Sequence, residues 1–109
     1  MKIISDSKLD TTTHEGYLMQ LAFEESSNTD KKVTFGKAVI RQNAKIPRHG
    51  FGAHEQNEFS YIIKGSLKVF SNNESSYVKA GDYSFIPAGQ EHRCENVGSE
   101  DCELIWVLV

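Results

Sequence analysis

Apolar residues along this chain fall into short runs separated by polar gaps, and the runs do not keep a helical rhythm. No segment of ten or more residues holds apolar side chains at a sustained 3.6-residue period, the signature of an amphipathic helix. The runs predict strands instead: GYLMQLAF (16–23), VTFGKAVI (33–40), EFSYII (58–63) and SLKVF (66–70), then YVKA, DYSFI, EHRCEN and CELIWVLV. Lys64-Gly65 reads as a hairpin turn between the third and fourth of these, and SNNESS as another turn. Residues 42–57 contain Pro47, Gly50 and Gly52 and read as mostly loop. Eight or nine short strands with turns between them predict an all-β sandwich or barrel.

The last strand adds an expectation about assembly. Cys102, Leu104, Trp106 and Leu108 share one face, and Ile105, Val107 and Val109 make the other face as apolar. Phe59, Tyr61 and Ile63 behave the same way against Ile62. A half-exposed antiparallel strand alternates apolar with polar residues, so both faces should be covered. Either a partner subunit, giving a homodimer, or the N-terminal strand folded over the same surface would do this.

Length and charge narrow the function classes. A chain of 109 residues supports one domain and one modest core. The net charge is -3, and the longest basic cluster is Lys31-Lys32. Neither offers an electrostatic footprint for nucleic acid or an acidic membrane. The start, MKIISDSK, lacks the apolar core of a secretory signal, and no run approaches a membrane span. A cytoplasmic location is expected. Cys94 and Cys102 would lie opposite one another if a hairpin centred on Gly98, as two neighbouring buried thiols or, less in keeping with the cytoplasm, a disulfide.

Three residues suggest chemistry. His54 and Glu58 are four apart, which on an extended chain returns both side chains to one face. His92 follows a Pro-Ala-Gly turn at the start of a strand. Two imidazoles and a carboxylate suit a borderline divalent metal.

The same residues carry a resemblance to the cupins. That family's second motif, G-x5-P-x-G-x2-H-x3-N, is met by Gly81, Pro87, Gly89, His92 and Asn96. The end of its first motif, H-x3/4-E-x6-G, is met by His54, Glu58 and Gly65. The resemblance runs from about residue 33 to the C-terminus, leaving 1–32 as a strand-bearing extension of a single domain, 1–109. It implies a double-stranded β-helix, or jelly-roll barrel, of two facing antiparallel sheets, often dimeric. It also implies His54, Glu58 and His92 as ligands of an iron, nickel, manganese, zinc or copper ion in the barrel mouth.

The first motif departs from the pattern. Its H-x-H start would place a histidine at Gly52, and Ile46 stands where its leading glycine would be. His49 replaces the missing ligand if a bulge swings it inward; otherwise two histidines and a carboxylate remain, the facial set of non-haem iron enzymes and of some zinc hydrolases. His14 reads as a surface histidine. Tyr61 is a candidate base, and Phe51, Gln56, Tyr83, Cys94 and Trp106 are candidates to shape a pocket.

The leading expectation is a metal-dependent enzyme acting on a small organic molecule, with oxygenase, lyase or isomerase chemistry. The alternatives are a non-catalytic small-ligand binder or sensor, without room in 109 residues for a DNA-binding domain, and a metal-free remnant.

Overall fold

A computed structural model describes residues 1–26 and 28–109. After a 3-10 turn at Asp6–Lys8, ten strands follow among the described residues: β1 Asp10–His14, β2 Tyr17–Ser26, β3 Lys32–Ile40, β4 Lys45–Ile46, β5 Glu58–Lys64, β6 Ser66–Ser71, β7 Glu74–Lys79, β8 Tyr83–Ile86, β9 His92–Glu95 and β10 Cys102–Leu108. They form two antiparallel sheets, ordered β1-β2-β3-β10-β5-β8 and β4-β9-β6-β7. From β3 onward the chain winds back and forth between the sheets, with only β6 and β7 consecutive in one sheet. This is the double-stranded β-helix. Among the described residues, no helix is long and apolar enough to cross a membrane.

The winding corrects two expectations. β5 and β6 do not pair as a hairpin, because β5 pairs with β10 and β8 while β6 pairs with β7 and β9. Gly65 is the corner where the chain changes sheets. Its φ is +79°, and a Cβ there would meet the Asp101 carbonyl oxygen at 2.6 Å, so only glycine fits. Likewise β9 and β10 lie in different sheets, so Cys94 and Cys102 are not cross-strand neighbours; both are free thiols. The chain between them is locked by buried Asn96. Its side-chain amide donates to the carbonyls of Ile40 and Glu100, and its oxygen accepts from Gly98 N–H.

The apolar pattern leaves out β1 and β4 and starts β7 late. β1 is built from DTTTH and fully exposed, so no apolar pattern marks it. β7 begins at Glu74 because the turn is only Asn72-Asn73, both at positive φ, a two-residue hairpin loop.

Inside the barrel, register stacks the side chains of the larger sheet in rows. Glu58 lies beside Ile86 and Leu108; the next row is Ser84, Ser60, Trp106 and Gly36; the next is Ile62, Leu104, Ala38 and Met19. Leu67, Val69 and Cys94 face them from the smaller sheet. Ala38, Ile40, Ile62, Leu67, Cys102, Leu104 and Trp106 are buried, and removal of this apolar surface from water is what holds the sheets together.

The outer face of the larger sheet is the apolar second face read from the sequence. Phe35, Val107, Phe59 and Phe85 form one cross-strand row, and Ile105, Tyr61 and Tyr83 the next. The N-terminal strand does not fold over it. β1 extends the sheet edge beside β2, and the segment before it meets this face through the Asp6–Lys37 and Lys2–Glu25 ion pairs. Phe59 stays 47% exposed and Phe85 54%.

Candidate metal centre

The opening of β9 is aimed by the turn before it. Gln90 N–H donates to the Pro87 carbonyl, and Gly89 takes φ +79° at the third turn position, where a side chain is strained. His92 follows and pairs with Gly52 through two backbone hydrogen bonds of 2.8 and 3.0 Å. Its Nδ1 lies 3.1 Å from the Gln90 carbonyl oxygen. A carbonyl only accepts, so this contact calls for the proton on Nδ1 and leaves Nε2 as the nitrogen free to ligate. That nitrogen lies 4.0 Å from Glu58 Oε2.

His54 and Glu58 arrive by different means. Glu58 is the first residue of β5 and is held by pairing to Ile86 and Leu108. His54 lies in the loop before it, so strand parity is not what brings the two together. The loop is fastened from three sides: Gly89 N–H donates to the His54 carbonyl, Asn57 exchanges backbone bonds with Val109, and Ala88 N–H donates to Asn57 Oδ1. The His54 ring then meets the edge of His92 with centroids 4.8 Å apart.

One donor atom from each of His54, Glu58 and His92 lies within 4.8 Å of the others, and all three residues are half-buried. Bonds of about 2.0–2.2 Å to a single ion put donor atoms roughly 3–3.5 Å apart. Small side-chain rotations close that difference. The donor set fits a divalent ion on two counts, its chemistry and the fixed tautomer of His92.

The triad stands on the wall of a cavity of about 570 Å³. Trp106 and Cys94 are among the residues that line it. Burial pushes the Cys94 thiol up to about 12, with the Glu58 charge adding to the effect, so the group is a neutral thiol rather than a ready nucleophile.

Other candidates lie elsewhere. Tyr61 and Tyr83 pack against each other at a tilt on the outer face, with centroids 4.8 Å apart, so Tyr61 does not reach the cavity as a base. Phe51 borders a separate shallow depression with Phe70. Gln56 donates to the Lys32 carbonyl and ties the loop to β3. His49 is exposed and outside the triad. His14 is exposed and stacks on Tyr17. Sequence reasoning missed Ser60 and Ser84, which line the cavity; their alternation with Phe59, Tyr61, Tyr83 and Phe85 was the available signal.

Comparison with known proteins agrees with this architecture. Residues 38–108 match the family model of the cupin domain. An oxalate-binding protein of Thermotoga maritima is 31% identical over 83 residues, 72% of this chain and 69% of that protein. The polyketide synthase CurC of Streptomyces cyaneus is 32% identical over 73 residues, 67% of this chain but only 46% of that protein. Among solved structures, an RmlC-like cupin from Shewanella frigidimarina superposes with a TM-score of 0.78, at 17% identity, over 99% of this chain and 89% of that one. The chain belongs to the cupin family.

Proposed function

We propose that this member of the cupin family is a metal-dependent enzyme acting on a small organic molecule held in the barrel. The observation that carries the reading is the convergence of His54, Glu58 and His92 on the wall of the 570 Å³ cavity. Those three residues would hold the ion on the cavity wall. A bound ion would supply Lewis-acid or, if redox-active, dioxygen chemistry.

The chain's own residues do the rest. The Gln90 carbonyl fixes the His92 tautomer, the loop fastened at Asn57 sets His54, and the apolar wall keeps bulk water from a bound molecule. With Tyr61 on the outer face and Cys94 a neutral thiol, the cavity offers no separate strong base among these candidates. Chemistry centred on the triad, of oxygenase, lyase or isomerase type, is the best-supported class.

The test is a calorimetric titration of metal-free protein with Co2+ and Zn2+. One equivalent should bind to the wild type, and His54→Ala, Glu58→Gln and His92→Ala should each weaken binding strongly while the fold persists. Unchanged affinity in all three variants would remove the site.

Two further features belong to this reading. The aromatic outer face supports a homodimer, because a second copy meets it with a surface of the same extent and chemistry. The free Cys94 and Cys102 support a reducing compartment, the cytoplasm.

A further inference from the structure

The chemistry of the cavity is lopsided. One part of its wall is hydrocarbon, with Met19, Ile62, Leu67, Val78, Leu104 and Trp106, while Ser71, Asn72, Glu74, Ser75 and Ser76 make a polar part on the smaller sheet. In the row next to Glu58, Ser84 and Ser60 are register partners, and Ser60 is opposite Trp106 on the other side. Both serines are half-buried and line the cavity, and their hydroxyls make no side-chain hydrogen bond among the described residues. Register partners hold their Cβ atoms roughly 5 Å apart, close enough for two hydroxyls to serve one oxygen atom.

Charge is the second observation. Among the described residues lining the cavity there is no lysine and no arginine, while Glu58 and Glu74 each bring a carboxylate. Glu58 would cancel one charge of a divalent ion in the triad, and exposed Glu74 lies in the same lining. A small dianion would therefore meet at most one net positive charge and no guanidinium fork, the usual means of holding carboxylates. It would also leave most of the hydrocarbon wall facing water.

We propose that the cavity takes an uncharged, ring-bearing hydroxy- or keto-compound and discriminates against small dicarboxylates. The oxygen atoms lie toward the triad, Ser60 and Ser84. The ring system lies against Ile62, Leu67, Leu104 and Trp106. This rests on the metal reading for the placement of the oxygen end; burial of the ring does not need the ion.

Trp106 is the only tryptophan of the chain and lines the cavity, so its emission reports occupancy. The probes are 2-acetyl-1-naphthol, an uncharged bicyclic hydroxy-ketone, and oxalate. Each is titrated by calorimetry and Trp106 emission into zinc-loaded and chelator-treated protein. The naphthol should bind both forms, more tightly with zinc, and at least about tenfold better than oxalate. Ser60→Ala and Ser84→Ala should each weaken it about three- to tenfold. Oxalate binding as tight as the naphthol, or no naphthol binding in either form, overturns the proposal. Failure to take up zinc sinks the metal reading alone, because the naphthol is still scored on the chelated protein. Preference for oxalate with normal zinc uptake sinks this proposal alone.

Discussion

Replacing Asn96 by alanine should destabilise the barrel by about 3 kcal/mol, although the residue touches neither the triad nor solvent. Its side chain is 1% exposed. The amide gives hydrogen bonds of 2.9 Å to the Ile40 and Glu100 carbonyls and accepts one of 3.0 Å from Gly98 N–H. Alanine removes all three at about 1 kcal/mol each and strands groups that the closed crossover keeps from water. The backbone bonds of residue 96, to Asn43 N–H and the Ala44 carbonyl, remain. For a domain of this size, 3 kcal/mol corresponds to a melting shift of roughly 12–24 °C. Urea denaturation at pH 7, followed by Trp106 emission, measures it. Asn96→Asp keeps the acceptor for Gly98 but loses both donations and buries a charge, so it should fall near the alanine variant. A loss below about 1 kcal/mol for Asn96→Ala would refute the view that this side chain locks the passage from β9 to β10.

Three other outcomes follow from the same structure. Gly52 is bridged to His92, and a Cβ there would make only ordinary contacts with Pro47, at 3.8 and 3.9 Å. Gly52→His should therefore add a fourth ligand and raise metal affinity at least about tenfold in a chelator competition, and unchanged affinity in a folded variant would count against the triad's geometry. By light scattering the wild type should weigh twice its 12.3 kDa chain and Phe59→Asp once, whereas a wild-type monomer at tens of micromolar would dismiss the outer face as an interface. Burial, aided by Glu103 and Glu100, pushes the Cys102 thiol from 9.0 to about 11. The folded chain thus holds that proton more tightly than the unfolded one, so stability is flat below pH 9 and declines as pH rises toward 11. About 2 kcal/mol should be lost by pH 10.5 from this thiol, visible as the difference in urea midpoint between wild type and Cys102→Ala; identical pH profiles would contradict it.

How much of this was legible in the sequence depends on whether the signal was local. The alternation in β5, with Glu58, Ser60 and Ile62 against Phe59, Tyr61 and Ile63, faithfully separates cavity from outer face. The spacing of Pro87, Gly89 and His92 likewise encodes its own turn. Hairpin logic failed at Gly65 and Gly98, because a chain that changes sheets at a corner uses the same glycine and polar residues as one that doubles back. Only the long-range contact of Gly65 with Asp101 distinguishes the two. Exposed β1 was silent because pairing to β2 at the sheet edge, rather than burial, defines it. His54 reached the triad through backbone anchors that no side-chain periodicity announces.

The proposed function stands on His54, Glu58 and His92 together holding one metal ion. The most direct measurement is the metal content per chain, by elemental analysis, of untagged wild type and His92→Ala purified without chelators. About one equivalent of a divalent transition metal is expected in the wild type and a small fraction of that in the variant, with both folded. A wild type that is empty and takes up no added metal, or a His92→Ala variant that keeps its full equivalent, would contradict it.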